Sequence, residues 1–191
     1  MTISILRKVA KASRKSEFTW RYASNLRATL GHRLHRRGLS GPATEVLNNL
    51  DRDGVAITSI SELLGECPLY EEMCAAVAEL EEQQAELLAA DRLSASQPAL
   101  PNERKPYVRY LLDPPVLDLD SPFVQFALQP TLLRITNEYF GMLTRLAYFN
   151  IWHTFTTDAA PQSSQMWHRD FDDPHYIMKV FGYLSDVDEG S

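Results

Sequence analysis

Cysteine is nearly missing from this chain: 191 residues hold only Cys67 and Cys74. Two thiols do not make a disulfide framework, and their C-x6-C spacing is not that of a zinc site. Both read as small buried groups in a reducing compartment. Long apolar runs are missing too. No stretch approaches the ~20 consecutive apolar residues of a membrane span. The first 20 residues contain no apolar run of the kind a secretory signal needs. A cytoplasmic protein is therefore expected. An amphipathic targeting helix stays open, because Arg7, Lys8, Lys11, Arg14 and Lys15 come with few acids. No internal repeat is present, which excludes solenoid and propeller architectures.

Acidic residues are scarce at one end only. Residues 1–40 hold ten Lys/Arg and a single acid, Glu17, whereas residues 41–191 hold nine Lys/Arg against 24 Asp/Glu. The formal net charge is -6. A basic arm on an acidic body could meet nucleic acid, an anionic membrane or its own acidic domain, or be a solvated helix. The acidic body argues against a strongly anionic substrate, so no nucleic-acid partner is expected. A hydrophobic fraction of 45% supports a real core. The length suits one ordinary domain.

The local patterns place helices first and strands after. Residues 3–37 read as one or two basic helices, with Ile5, Leu6, Val9 and Ala12 near helical spacing. Gly38 and Gly41-Pro42 break that pattern. A helix is predicted over 43–53, stopped by Gly54, with a strand over 55–58. Ser59 and Glu62 have the spacing of a capping box. Residues 71–92, rich in Ala, Leu, Glu and Gln, form the clearest helix. A proline-containing loop over 94–106 precedes a strand over 107–112, which Asp113-Pro114-Pro115 ends. Ser121-Pro122 opens a helix that closes at Gly141. From 143 to 155 the texture is aromatic and branched, as in strands. Further strand-like runs cover 165–170 and 175–185. This order predicts an α+β protein, with helices packed on an antiparallel sheet or barrel.

The strongest chemical feature is Trp167-His168-Arg169-Asp170. Side chains alternate along a strand, so His168 and Asp170 would point the same way. Two His plus one carboxylate on one face of an octahedron is the set that holds non-haem Fe(II), leaving open positions for other ligands. Alone, H-x-D is a weak pattern. A strand-end His paired with a nearby acid is the competing interpretation.

Its surroundings carry more. The run Ser164-Gln165-Met166-Trp167-His168-Arg169-Asp170-Phe171-Asp172-Asp173-Pro174 resembles the motif region of the phytanoyl-CoA dioxygenase family. Lys179-Val180-Phe181-Gly182-Tyr183-Leu184-Ser185-Asp186-Val187-Asp188-Glu189-Gly190 resembles that family's following strand and turn. Leu50-Asp51-Arg52-Asp53-Gly54-Val55-Ala56-Ile57 resembles its opening turn and first strand. The similarity spans about residues 43–191 and is densest from 143 onward. Residues 1–40 carry none of it.

The resemblance implies a double-stranded β-helix, a jelly-roll or cupin-like core buttressed by helices. Residues 1–40 would be a basic helical extension, and 41–191 the N-terminal portion of the oxygenase domain. It implies an Fe(II)/2-oxoglutarate-dependent dioxygenase that hydroxylates a small molecule while 2-oxoglutarate becomes succinate. His168 and Asp170 would be catalytic iron ligands. O2 would be the oxidant, with ascorbate as an optional reductant. Phe155 falls where the family places a bulky residue beside the co-substrate, and His153 shares its face. Tyr183 matches a co-substrate-contacting aromatic, with Lys179 on the same strand face. Arg109 matches a basic residue that can approach the co-substrate carboxylate. For Lys179 and Arg109, plain surface charge is an even alternative. Trp152 and Trp167 suit the core better than a site.

The resemblance also implies a second iron His and a carboxylate-binding Arg further along the chain. Neither occurs before Ser191, so the core is expected to be incomplete and the 191 residues to bind Fe(II) weakly. An inactive fragment, or a non-catalytic member of the fold acting as a binding protein, is the alternative. Substrate identity and oligomeric state are not encoded legibly.

Overall fold

A computed structural model describes residues 16–98, 105–157, 160–161, 165–166 and 177–185. The contacts divide them into two compact units. The first comprises described residues within 1–67, 127–146 and 170–180; the second, those within 68–126, 147–169 and 181–191.

In the first unit, Ser16 caps the helical turn α1 (Glu17–Thr19), its hydroxyl accepting from the Thr19 amide. A π-helical turn, Trp20–Ser24, leads into α2 (Leu26–His35). Arg33 lies in the last turn of α2, where a cation suits the negative end of the helix dipole. α3 (Pro42–Asp53) has proline in its first turn and ends at Gly54, whose φ of 73° is left-handed. That conformation favours glycine, which lacks the Cβ that clashes there. α4 (Ile60–Leu64) opens with the expected capping box: Ser59 accepts from the Glu62 amide, and Glu62 accepts from the Ser59 amide. α3 packs against α8 (Pro130–Phe140), burying Ala43, Ile135, Phe140 and Met142 within this unit.

In the second unit, α5 (Pro68–Gln83) and α6 (Ala85–Ser94) stand beside a sheet of two antiparallel strands, β1 (Val108–Tyr110) and β2 (Trp152–Thr154). Val108 pairs with Thr154, Arg109 with His153, and Tyr110 with Trp152. The Leu111 amide donates to Ile151 and the Phe155 amide to Tyr107, extending the ladder one residue each way. A short helix, α7 (Pro122–Ala127), adds the buried Phe123 and Val124. Tyr107, Val108, Leu111, Met73, Ala95 and Phe155 complete the buried apolar set of this unit.

The α+β class is seen, as mixed helix with a two-stranded antiparallel sheet. The double-stranded β-helix is not seen among the described residues. Residues 55–58 form no strand: Val55 and Ile57 are exposed, and nothing pairs with them in a ladder. Of the 143–155 run only Trp152–Thr154 is a strand, and residues 177–185 carry none. Aromatic and branched composition favours strands, but a strand exists only where a partner accepts its hydrogen bonds. The helix expected over 71–92 is two, interrupted at Gln84. There the side-chain amide donates to the Leu111 carbonyl. The helix expected over 121–141 is also two, because Pro130 starts a new one. No helix among the described residues is long and apolar enough to cross a membrane.

Candidate functional site

The second unit concentrates the chemistry on one face of its sheet. Residues directly opposite in an antiparallel pair project to the same side. Arg109 of β1 and His153 of β2 are such a pair. Each meets a carboxylate from a different helix. Asp91 of α6 accepts from Arg109 Nε at 2.5 Å, with both side chains largely buried. Glu81 of α5 lies 2.6 Å from His153 Nδ1. Between them, Gln84 Nε2 donates to the Leu111 carbonyl at 2.9 Å. Three polar contacts thus hold the helices to this face.

Apolar side chains form the rest of it. His153 and Phe155 are two residues apart and share the face, their ring centroids 4.8 Å apart. Phe155 and Tyr107 are buried. With Glu81 ionised, the proton of a neutral His153 sits on Nδ1 and Nε2 becomes the acceptor. This tautomer is inferred from the hydrogen bond. A carboxylate behind an imidazole is the arrangement that fixes ring orientation for proton transfer or ligation.

The opposite face carries an aromatic row. Tyr110 and Trp152 are cross-strand partners with centroids 5.8 Å apart, and Phe181 meets Trp152 edge-on at 6.2 Å. At the end of β1 opens a cleft of about 350 Å³ lined by Gln84, Arg109, Tyr110, Leu111 and Asp113.

The site residues read from the sequence are distributed as follows. Arg109 and Phe155 come together on the His153 face. Arg109 is engaged by Asp91 rather than standing as plain surface charge. Tyr183 is exposed in the second unit, where its carbonyl accepts from the Tyr70 hydroxyl at 3.3 Å. Lys179 is exposed and belongs to the first unit. His168 and Asp170, with Trp167, lie outside the described residues. Trp152, expected in the core, is exposed, although Val108 on the same face of the sheet is buried. Among the described residues, no three His, Cys, Asp or Glu side chains could together hold a metal ion. Sequence reasoning missed Glu81, Gln84 and Asp91. Their partners lie 72, 27 and 18 residues away, and no local pattern announces such pairings.

A second ionic cluster sits in the first unit. The Glu138 carboxylate is almost fully buried and receives the Arg36 guanidinium, with Nη2 at 2.8 Å and Nε at 2.9 Å. Hydrogen bonding to Glu138, then its charge, holds the Arg36 pKa above its ordinary value. His32 Nε2 approaches the same carboxylate at 3.7 Å.

Compared with known proteins, the chain matches no family model, no curated protein and no solved structure.

Proposed function

We propose that this chain has the chemistry of an Fe(II)/2-oxoglutarate-dependent oxygenase of the phytanoyl-CoA dioxygenase type, with His168 and Asp170 as two iron ligands. The observation that carries the proposal is the motif His168-Arg169-Asp170 in its wider run, Ser164 to Pro174, followed by Lys179 to Gly190. The donor set is chemically apt: one imidazole and one carboxylate, two residues apart, suit a metal that keeps open positions. The described fold is compatible in kind, since two helices pack on an antiparallel strand pair. Bound iron would supply O2 activation coupled to oxidative decarboxylation of 2-oxoglutarate, directed at a small-molecule substrate.

The chain's own part is placement. Phe155 and Tyr107 would exclude water from one wall. His153, oriented by Glu81, would offer Nε2 as a fixed acceptor or donor beside that wall. Arg109 serves the co-substrate only through whatever part of its guanidinium Asp91 leaves exposed; the Nε edge is committed to holding α6 to β1. Lys179 and Tyr183 stay in the proposal as co-substrate contacts on the strength of the resemblance alone.

The test is spectroscopic. Anaerobic Fe(II) and 2-oxoglutarate, added in excess to offset the weak binding expected of two protein ligands, should give a faint visible metal-to-ligand charge-transfer band. His168→Ala and Asp170→Ala should each remove it. A band that survives both substitutions would place the iron elsewhere and defeat the assignment.

A further inference from the structure

We infer that α2 is a peripheral membrane-docking element whose exposed leucine stripe seats on an anionic lipid surface. The helix is reversed relative to ordinary amphipathic packing, in which the apolar face turns to the core. Its inward face is polar or small: Thr29 and His32 are buried, and the space at Gly31 is closed by Leu143. Thr29 donates to the Arg21 carbonyl, and His32 approaches Glu138. Its outward face carries a leucine stripe edged by arginines. Leu26, Leu30 and Leu34 recur every four residues, so they form one stripe, and they are 43%, 44% and 80% exposed.

Charge identifies the partner. Arg27 and Arg33 follow Leu26 by one residue and precede Leu34 by one. At about 100° per residue they flank the stripe on opposite sides. Both are exposed, and Arg33 is steadied by stacking over the Tyr22 ring at 5.5 Å. Arg37 follows and is exposed, whereas the Arg36 guanidinium is held by Glu138. An apolar stripe with cations along both borders suits a bilayer surface, where leucines enter the acyl boundary and guanidiniums meet anionic headgroups. The charge partition of the chain points the same way. Residues 1–40 are almost purely cationic and the remainder is strongly acidic, so an anionic surface attracts only this end. The inference is independent of the proposed oxygenase chemistry, since it uses none of its residues.

The experiment is sedimentation of the 191-residue protein with vesicles of phosphatidylcholine alone or with added phosphatidylserine. Binding should require phosphatidylserine and weaken as salt rises. Leu30→Glu combined with Leu34→Glu should reduce binding at least about ten-fold, from the lost apolar burial. Arg27→Gln should reduce it about five-fold, as expected for one interfacial cation. Leu34→Phe should retain binding. Leu34→Glu alone, at a side chain 80% exposed, should also weaken binding while leaving circular dichroism and melting temperature unchanged. Equal binding to neutral vesicles, or binding that survives the double Glu variant, would overturn the inference. So would a stripe needed for self-association while vesicles are ignored, or a basic helix that retains RNA but not lipid.

Discussion

Arg109 and His153 face each other across the two strands, and each is held from behind by a carboxylate on a different helix. The pairing joins α5, α6, β1 and β2 through side chains distant in sequence. A largely buried ion pair is costly to break from one side, because the remaining charge loses its partner. Arg109→Leu should therefore destabilise the protein by ~2–3 kcal/mol, below the fully buried range because both groups keep some solvent. The double variant Arg109→Leu/Asp91→Leu should recover most of that loss. A double-mutant cycle by urea denaturation measures it, and simple additivity would show that the two groups do not interact.

His153 gives a separable prediction. Glu81→Gln keeps the shape but no longer fixes the Nδ1 proton of His153 through a charge. The His153 ring should lose its single tautomer, visible in its 15N shifts, while the melting temperature moves little because the pair is half exposed. Unchanged ring shifts would mean that Glu81 does not set the tautomer.

Gly141 ends α8 with φ 63°, and a Cβ there would lie 2.5 Å from Arg21 Nη1. Gly141→Ala should cost ~1–2 kcal/mol from left-handed backbone alone. The flexible end of Arg21 can move aside. By contrast, Gly38→Ala meets nothing within 4 Å and has no unusual φ, so it should be neutral or slightly stabilising. Thermal melts of the two variants check the contrast, and equal effects would refute it.

Thr29 is buried in α2, with its hydroxyl bonded to the Arg21 carbonyl at 3.1 Å. Thr29→Val preserves shape and removes that hydrogen bond, which should cost about 1 kcal/mol. A melting temperature equal to that of the parent would show that α2 is not docked through its polar face.

Elements set by local chemistry were legible before the fold was known. The Ser59–Glu62 capping box, the Gly54 and Gly141 stops and the short strand through Arg109 all follow from residues within a few positions. Elements that depend on distant partners were not. Val55 to Thr58 has strand composition and no ladder, and the Glu71–Arg92 pattern cannot reveal that Gln84 turns aside to Leu111. Part of the candidate site was legible in the same sense. Phe155 and His153 share a face because alternation requires it, while Glu81 and Asp91 are supplied by helices whose faces are chosen by packing. For α2, the charges were readable, but which face would be buried was not, since it docks through Thr29 and His32.

The iron assignment rests on two side chains, and Fe(II) affinity measured by anaerobic calorimetry tests it most directly. The parent chain should bind Fe(II) weakly, with one site. His168→Ala and Asp170→Ala should each weaken it by more than the 10–100-fold typical of losing a supporting second-sphere group. His175→Ala, which removes an imidazole five residues after Asp170 in the sequence, should leave it unchanged. Equal affinity in the parent and both ligand variants, or loss on His175→Ala alone, would contradict the assignment.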